Sequence, residues 1–254
     1  KNNDTDMRRR CAKLLAIAVN LNGKHFNDAF KYLINGLKDS GSSVQDSCAR
    51  SLVTLSKKCN DKQLDITVQC LIDGFQNINE YDHYRFRDLL KGIAMKLNET
   101  QIDSLFTCLI NGLKGNNEKN RLYAKFIGYL SMKLNKRHLN DVFQCLNGLK
   151  DENECIRALC GKPLETISTK LNYQQLDRIF SAFMHRSKDT DKEDCDSYAK
   201  SLGVISEKLN EKQLENAINT LIDGLKDKDK DVRKSCAESL GVISTNLNDK
   251  QLEG

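Results

Sequence analysis

Ten cysteines and four histidines are the residues of this 254-residue chain with the most chemistry to offer. A zinc site needs soft ligands in close local pairs, and no two cysteines here are spaced C-x-x-C. Cys11, Cys48, Cys160 and Cys236 recur at one position of an internal repeat, and Cys70, Cys108 and Cys145 recur at another. Cys59 stands where neighbouring repeats carry leucine. Free cysteine packs well as a small apolar residue, so these eight are expected in the core as reduced thiols, which fits an intracellular compartment. Cys155 and Cys195 fall outside the core positions and are the candidate reactive thiols, but neither has a histidine beside it. His25 and His138 each follow an asparagine by three residues and are read as helix-start residues. None of the four histidines is followed by glutamate, as the paired His-Glu motifs of iron-dependent hydroxylases would require. Asp189, Asp191 and Glu193 open like a calcium loop, but Asp194 and Lys200 stand where that loop needs glycine and glutamate. No glycine spacing makes a phosphate loop and no serine sits in a nucleophile elbow. Catalytic, cofactor-binding and metal-binding residues are all expected to be absent.

The basic residues hold a weaker pattern. One position of the repeat reads Lys13, Arg50, Asp88, Lys125, Lys162, Lys200 and Glu238 along the chain. Neighbouring helices pack ~8–10 Å apart, so Lys125, Lys162 and Lys200 would form a stripe roughly 20 Å long. Such a stripe attracts an acidic peptide or a phosphate backbone. The partner-binding candidates are therefore Lys13, Arg50, Lys125, Lys162 and Lys200. A solvated face in a lysine-rich chain has the same composition, and the sequence does not separate the two. Forty basic residues against thirty-five acidic ones leave a net charge of +5, too little for a general nucleic-acid or membrane coat.

The elements that carry these residues follow from a repeat. Leu-Asn, or Cys59-Asn60 in its place, ends at Asn22, Asn60, Asn98, Asn135, Asn172, Asn210 and Asn248, spacings of 37 or 38 residues. After Asn210, apolar residues fall at Leu214, Ile218, Leu221, Ile222 and Leu225, one face of a helix. Asn210 is a good N-cap with Gln213 at the third helical position, a variant of the capping box. Asn60 with Gln63, Asn98 with Gln101 and Asn172 with Gln175 repeat the arrangement. A polar turn follows, residues 226–231, and then Val232, Cys236, Ala237, Leu240, Ile243 and Leu247 mark a second helix. Amphipathic pairs that cannot bury their faces alone are expected to stack. The fold class is thus all-α, an α-solenoid of about 13 helices in units starting near residues 22, 60, 98, 135, 172 and 210, with partial units at both ends. Residues 1–254 are read as a single array and as a fragment of a longer protein.

The run Asp231-Val232-Arg233 with Ala237 and then Leu240-Gly241 resembles the HEAT-repeat signature, with looser versions at Asp6-Met7-Arg8 and Cys155-Ile156-Arg157. HEAT repeats are close to armadillo repeats, and two helices per unit favour HEAT. The resemblance implies a right-handed superhelix whose second helices line the concave side. It also implies a scaffold or adaptor role towards other proteins. The lysine- and asparagine-rich repeats are similar to those of HEAT proteins from host-associated intracellular bacteria, so delivery into a host cytoplasm is a further expectation of the resemblance.

Two stretches depart from the pattern. Arg186 replaces the glycine that the other units carry at Gly36, Gly74, Gly112, Gly148 and Gly224, and Asp194-Cys195 replaces Val-Arg. Pro163, the only proline, falls inside a second helix and predicts a kink or a late helix start. No apolar run approaches the ~20 residues of a membrane span. The expected function is a non-catalytic protein-binding scaffold. Nucleic-acid binding of the kind seen in HEAT-like DNA repair proteins, or an accessory role such as that of a HEAT-like bilin lyase, are the alternatives. Tryptophan, the best base-stacking residue, is absent.

Overall fold

The computed structural model describes residues 2–17, 23–76, 83–115, 119–147, 149, 151–160, 164–184 and 202–246. The described residues are helical, with no strand among them. In chain order the helices are α1 (Asn2–Ile17), α2 (Gly23–Gly36), α3 (Ser42–Leu55), α4 (Asp61–Gln76), α5 (His83–Ile93) and α6 (Glu99–Lys114). They continue as α7 (Asn120–Tyr129), α8 (Lys136–Leu146), α9 (Glu152–Cys160), α10 (Leu164–Ser168), α11 (Tyr173–Met184), α12 (Glu211–Gly224) and α13 (Lys230–Asn246). The chain forms two compact units, Lys1–Gly112 and Leu113–Gly254.

In the first unit α1 packs on α3 and α3 on α5, while α2 and α4 lie against α3 and α5. In the second, α7 packs on α9, α9 on α11, and α12 on α13. This is the expected helix–turn–helix repeat. Its core is the apolar stripe read from the sequence: Leu33, Leu71, Leu89, Leu105, Leu139 and Leu221 are wholly buried, each contributing about 1.5–3 kcal/mol. The first-helix glycines serve close approach. A Cβ would lie 2.3 Å from the Cys48 sulfur at Gly36, 2.3 Å from the Phe86 ring at Gly74 and 2.5 Å from the Cys236 sulfur at Gly224. The first and second helices of a unit therefore touch through a hole that only glycine leaves.

The helix starts are built as the sequence implies. The Asn60, Asn98, Asn135, Asn172 and Asn210 side chains each accept from the backbone N–H three residues on, at 2.9–3.0 Å. In return Gln63, Gln101, Gln175 and Gln213 accept from the asparagine N–H. His138 does so through Nδ1 and is buried, which settles it as a cap residue. His25 is exposed in the first turn of α2 and its partner Asn22 lies outside the described residues.

The helix ends were less legible. Second helices close in tight 3₁₀ turns, Ser56–Lys58, Ala94–Lys96 and Ser206–Lys208, before an extended residue leads to the next cap. Within each unit the lysine of such a turn donates to carbonyls at the end of the preceding second helix. Lys96 donates to Ser56 O and Lys208 to Ser168 O. Lys170 reaches Ser131 O at 3.0 Å and Leu134 O at 2.7 Å. Carbonyls at a helix end carry the negative end of the helix dipole, which favours a cation there. Burial holds the Lys96 and Lys170 ammonium groups below their ordinary pKa.

Several expectations change. Cys11 is exposed rather than in the core. The helix buries Ala12 against α3 instead, and no described helix covers the side bearing Met7, Cys11 and Leu14. Ile222 and Leu225 are likewise exposed, and Ala237 faces solvent. Cys155 is wholly buried rather than outside the core. Its helix starts at Glu152, and Cys155 and Ile156 are both wholly buried. Pro163, Arg186, Asp194 and Cys195 lie outside the described residues, although α9 closes at Cys160 and α10 opens at Leu164.

Candidate protein-binding surface

The surface in question is the solvent side of the second helices, and its register is set by the cap residues. Gln63 Nε2 donates to Asn27 Oδ1 at 2.9 Å, so the same glutamine that closes its own cap also ties its helix to the preceding first helix. Gln101 to Asp65 (2.6 Å), Gln175 to Asn140 (2.8 Å) and Gln213 to Asp177 (2.6 Å) repeat the link. A glutamate would cap equally well, but it would set a carboxylate against Asp65 or Asp177. Glutamine meets both demands. The signal is present in the sequence as Asn27, Asp65, Asp103, Asn140 and Asp177, each two residues beyond the third helical position of a first helix, but the period alone does not say that it faces the next unit.

The Val-Arg arginines are also structural. Arg233 Nη1 donates to the turn carbonyls of Asp227 and Lys228 at 2.8 and 2.9 Å. Arg157 donates to Ala182 O at 2.7 Å. Arg8 forks onto Asp39 at 2.9 and 3.2 Å, and that hydrogen bond holds the Asp39 carboxyl below the usual carboxylate range. These charges are consumed in holding turns.

The five partner-binding candidates differ from them. Lys13 on α1 and Arg50 on α3 are both exposed, and their helices pack side by side in the first unit. Lys125 is exposed on α7 in the second unit. Among the described residues none of the three is held in an ion pair. Lys162 and Lys200 lie outside the described residues. The acidic members of the same position behave otherwise: Asp88 accepts from Arg87 Nε at 2.8 Å and Glu238 sits 3.7 Å from Lys234. Two exposed residues add apolar surface on the α5 side, Tyr84 under the Arg87 guanidinium at 4.9 Å and Met95.

The thiols offer little chemistry. Burial pushes Cys48, Cys59 and Cys155 up to about 11 and Cys160 further still. They are protonated at neutral pH, the wrong state for a nucleophile. Among the described residues no group of three His, Cys, Asp or Glu could hold a metal ion. No described helix is long and apolar enough to cross a membrane.

Comparison with known proteins agrees with the repeat. Residues 217–247 match the HEAT repeat family. No curated protein sequence matches the chain. Among solved structures, an engineered protein from the Northeast Structural Genomics Consortium is similar at 16% identity, over 98% of this chain and 67% of that one, with a TM-score of 0.49. A designed armadillo repeat protein in complex with the peptide (KR)4 is similar at 15% identity, over 83% of this chain and 98% of that one, with a TM-score of 0.47. The HEAT match falls on α12 and α13, the unit whose wording is closest to the signature, and the same unit recurs along the chain. The chain is an α-helical repeat protein that carries a HEAT repeat at residues 217–247.

Proposed function

We propose that this HEAT-like chain is a non-catalytic scaffold that grips an acidic segment of a protein partner along the exposed position of its second helices. The observation that carries the reading is the pair Lys13 and Arg50, exposed on adjacent packed helices, without ion pairs, at one position of the repeat. Arg8, Arg157, Arg233 and Lys170 are by contrast engaged on carbonyls or carboxylates. Lys125, Lys162 and Lys200 fill the same position of the repeat within the second unit. Long-range attraction by such a row raises the encounter rate and selects acidic partners. The buried thiols suit a reducing, intracellular setting.

The test is cross-linking capture of partners with the wild-type chain and with Lys125, Lys162 and Lys200 changed together to Glu. Loss of the captured species in the variant is expected. Unchanged capture removes the row from the mechanism. Tight binding of short duplex DNA at low salt, where phosphate contacts are strongest, would replace the protein partner with nucleic acid.

A further inference from the structure

A second surface lies on the first helices, in the groove between α2 and α4. Its volume is about 450 Å³, and its polar lining is Asn27, Lys31, Asn35, Asn60, Lys62 and Gln63, with Ile66 among its apolar residues. The cap network decides what this groove presents. Gln63 Oε1 is committed to the Asn60 N–H, so Gln63 Nε2 must donate and Asn27 must turn its oxygen inward to accept. The Asn60 oxygen is committed to the Gln63 N–H. Every side-chain acceptor of this network is therefore used, and the Asn27 and Asn60 amide nitrogens are left with no hydrogen bond among the described residues. Lys31 and Lys62 add two exposed ammonium groups, and Ile66 is 47% exposed. The lining holds no carboxylate.

The other units of the repeat show that this is not dictated by the fold. The position of Asn27 is Asp65 in α4 and Asp177 in α11, and each accepts the same glutamine bond. The positions of Lys31 and Lys62 are Gln69 and Thr100 one unit on. The geometry of the ladder is kept while the charge of the groove is reversed. Two amide nitrogens without partners among the described residues, two cations, no carboxylate and an exposed isoleucine fit a carboxylate beside an apolar side chain.

We infer that the α2–α4 groove is a binding site for an acidic peptide segment that carries apolar residues next to its carboxylates. The segment's carboxylates meet Lys31, Lys62 and the Asn27 and Asn60 amide nitrogens, and its apolar side chain covers Ile66. The site goes beyond the second-helix surface and is tested apart from it.

Fluorescence anisotropy with a labelled peptide of alternating Glu and Leu, at low salt, tests the site against its Lys/Leu counterpart. The acidic peptide is expected to bind and the basic one not. Asn27→Asp keeps the acceptor that Gln63 needs but exchanges the outward donor for a carboxylate, so the fold is retained. It and the Lys31→Glu, Lys62→Glu double variant are each expected to weaken binding by at least about tenfold, or ~1.4 kcal/mol. Lys13→Glu with Arg50→Glu removes any share of the peptide that binds the second-helix position, and the groove's share is expected to persist in it. Failure of the acidic peptide to bind, or unchanged affinity in Asn27→Asp and the double lysine variant, overturns the site. A loss seen only with Lys13→Glu and Arg50→Glu also overturns it, while leaving the second-helix reading standing.

Discussion

At the scale of single residues, the structure separates glycines that look alike in sequence. Gly74 faces the Phe86 ring with no room for a Cβ, whereas Gly241 in α13 has nothing within 4 Å. Gly74→Ala is expected to destabilise the chain by about 1–3 kcal/mol through overpacking. Gly241→Ala is expected to stabilise it by about 0.5–1 kcal/mol through helix propensity. Urea midpoints of the two variants check both signs. Asp39 gives a pH dependence. Its carboxyl is held below the usual range by Arg8, so the folded state binds its proton less readily than the unfolded chain. That contribution is complete above the unfolded carboxylate range and is lost as pH falls through the folded pKa. Asp39→Asn should therefore be less stable than wild type at neutral pH, with the gap closing in acid. Thiol reactivity is the third check: Cys11 should alkylate in the folded chain, and the buried Cys155 and Cys160 only on unfolding. The repeat register puts Cys11 in the core and Cys155 outside it, and the structure reverses both. Burial in a helix depends on which neighbour covers each side, and neither composition nor period reports that.

At the scale of elements, the helices and their caps were legible and the ties between them were not. Asn at the cap with Gln three residues on is a local signal, present in the sequence at Asn60, Asn98, Asn172 and Asn210. The second bond of Gln101 and Gln213, to Asp65 and Asp177, joins residues 36 positions apart. It shows in the sequence only once the helices are known to lie side by side. Gln213→Glu separates the two functions of the residue. It preserves the cap acceptor but confronts Asp177 with a second carboxylate, and should cost ~1 kcal/mol or more. Gln63→Glu faces Asn27, which can turn its nitrogen inward, and should be nearly neutral. A larger loss in Gln63→Glu than in Gln213→Glu, by chemical denaturation, would contradict the ladder. Lysine precedes Leu-Asn at Lys96, Lys133, Lys170 and Lys208, but the abundance of lysine hides the pattern. Lys170→Met should cost about 1.5–3 kcal/mol, the range for hydrogen bonds from a charged donor, with thermal melting as the readout.

At the scale of the whole molecule, the sequence named the architecture because a period of 37 or 38 residues with one helix pair per period has few other solutions. The interaction surface was harder to find. Lys13, Arg50 and Lys125 share one position and the structure exposes all three, yet exposure alone is what a solvated face would show. The more direct discriminator is where a partner sits. Hydrogen exchange on the chain with a cross-linked or co-purified partner bound gives that answer. Protection is expected in the peptides of the second helices that carry Lys13, Arg50 and Lys125, and it should weaken when those residues are changed to Glu. Protection confined to the first helices, or none in α1, α3 and α7, would contradict the scaffold reading of this face.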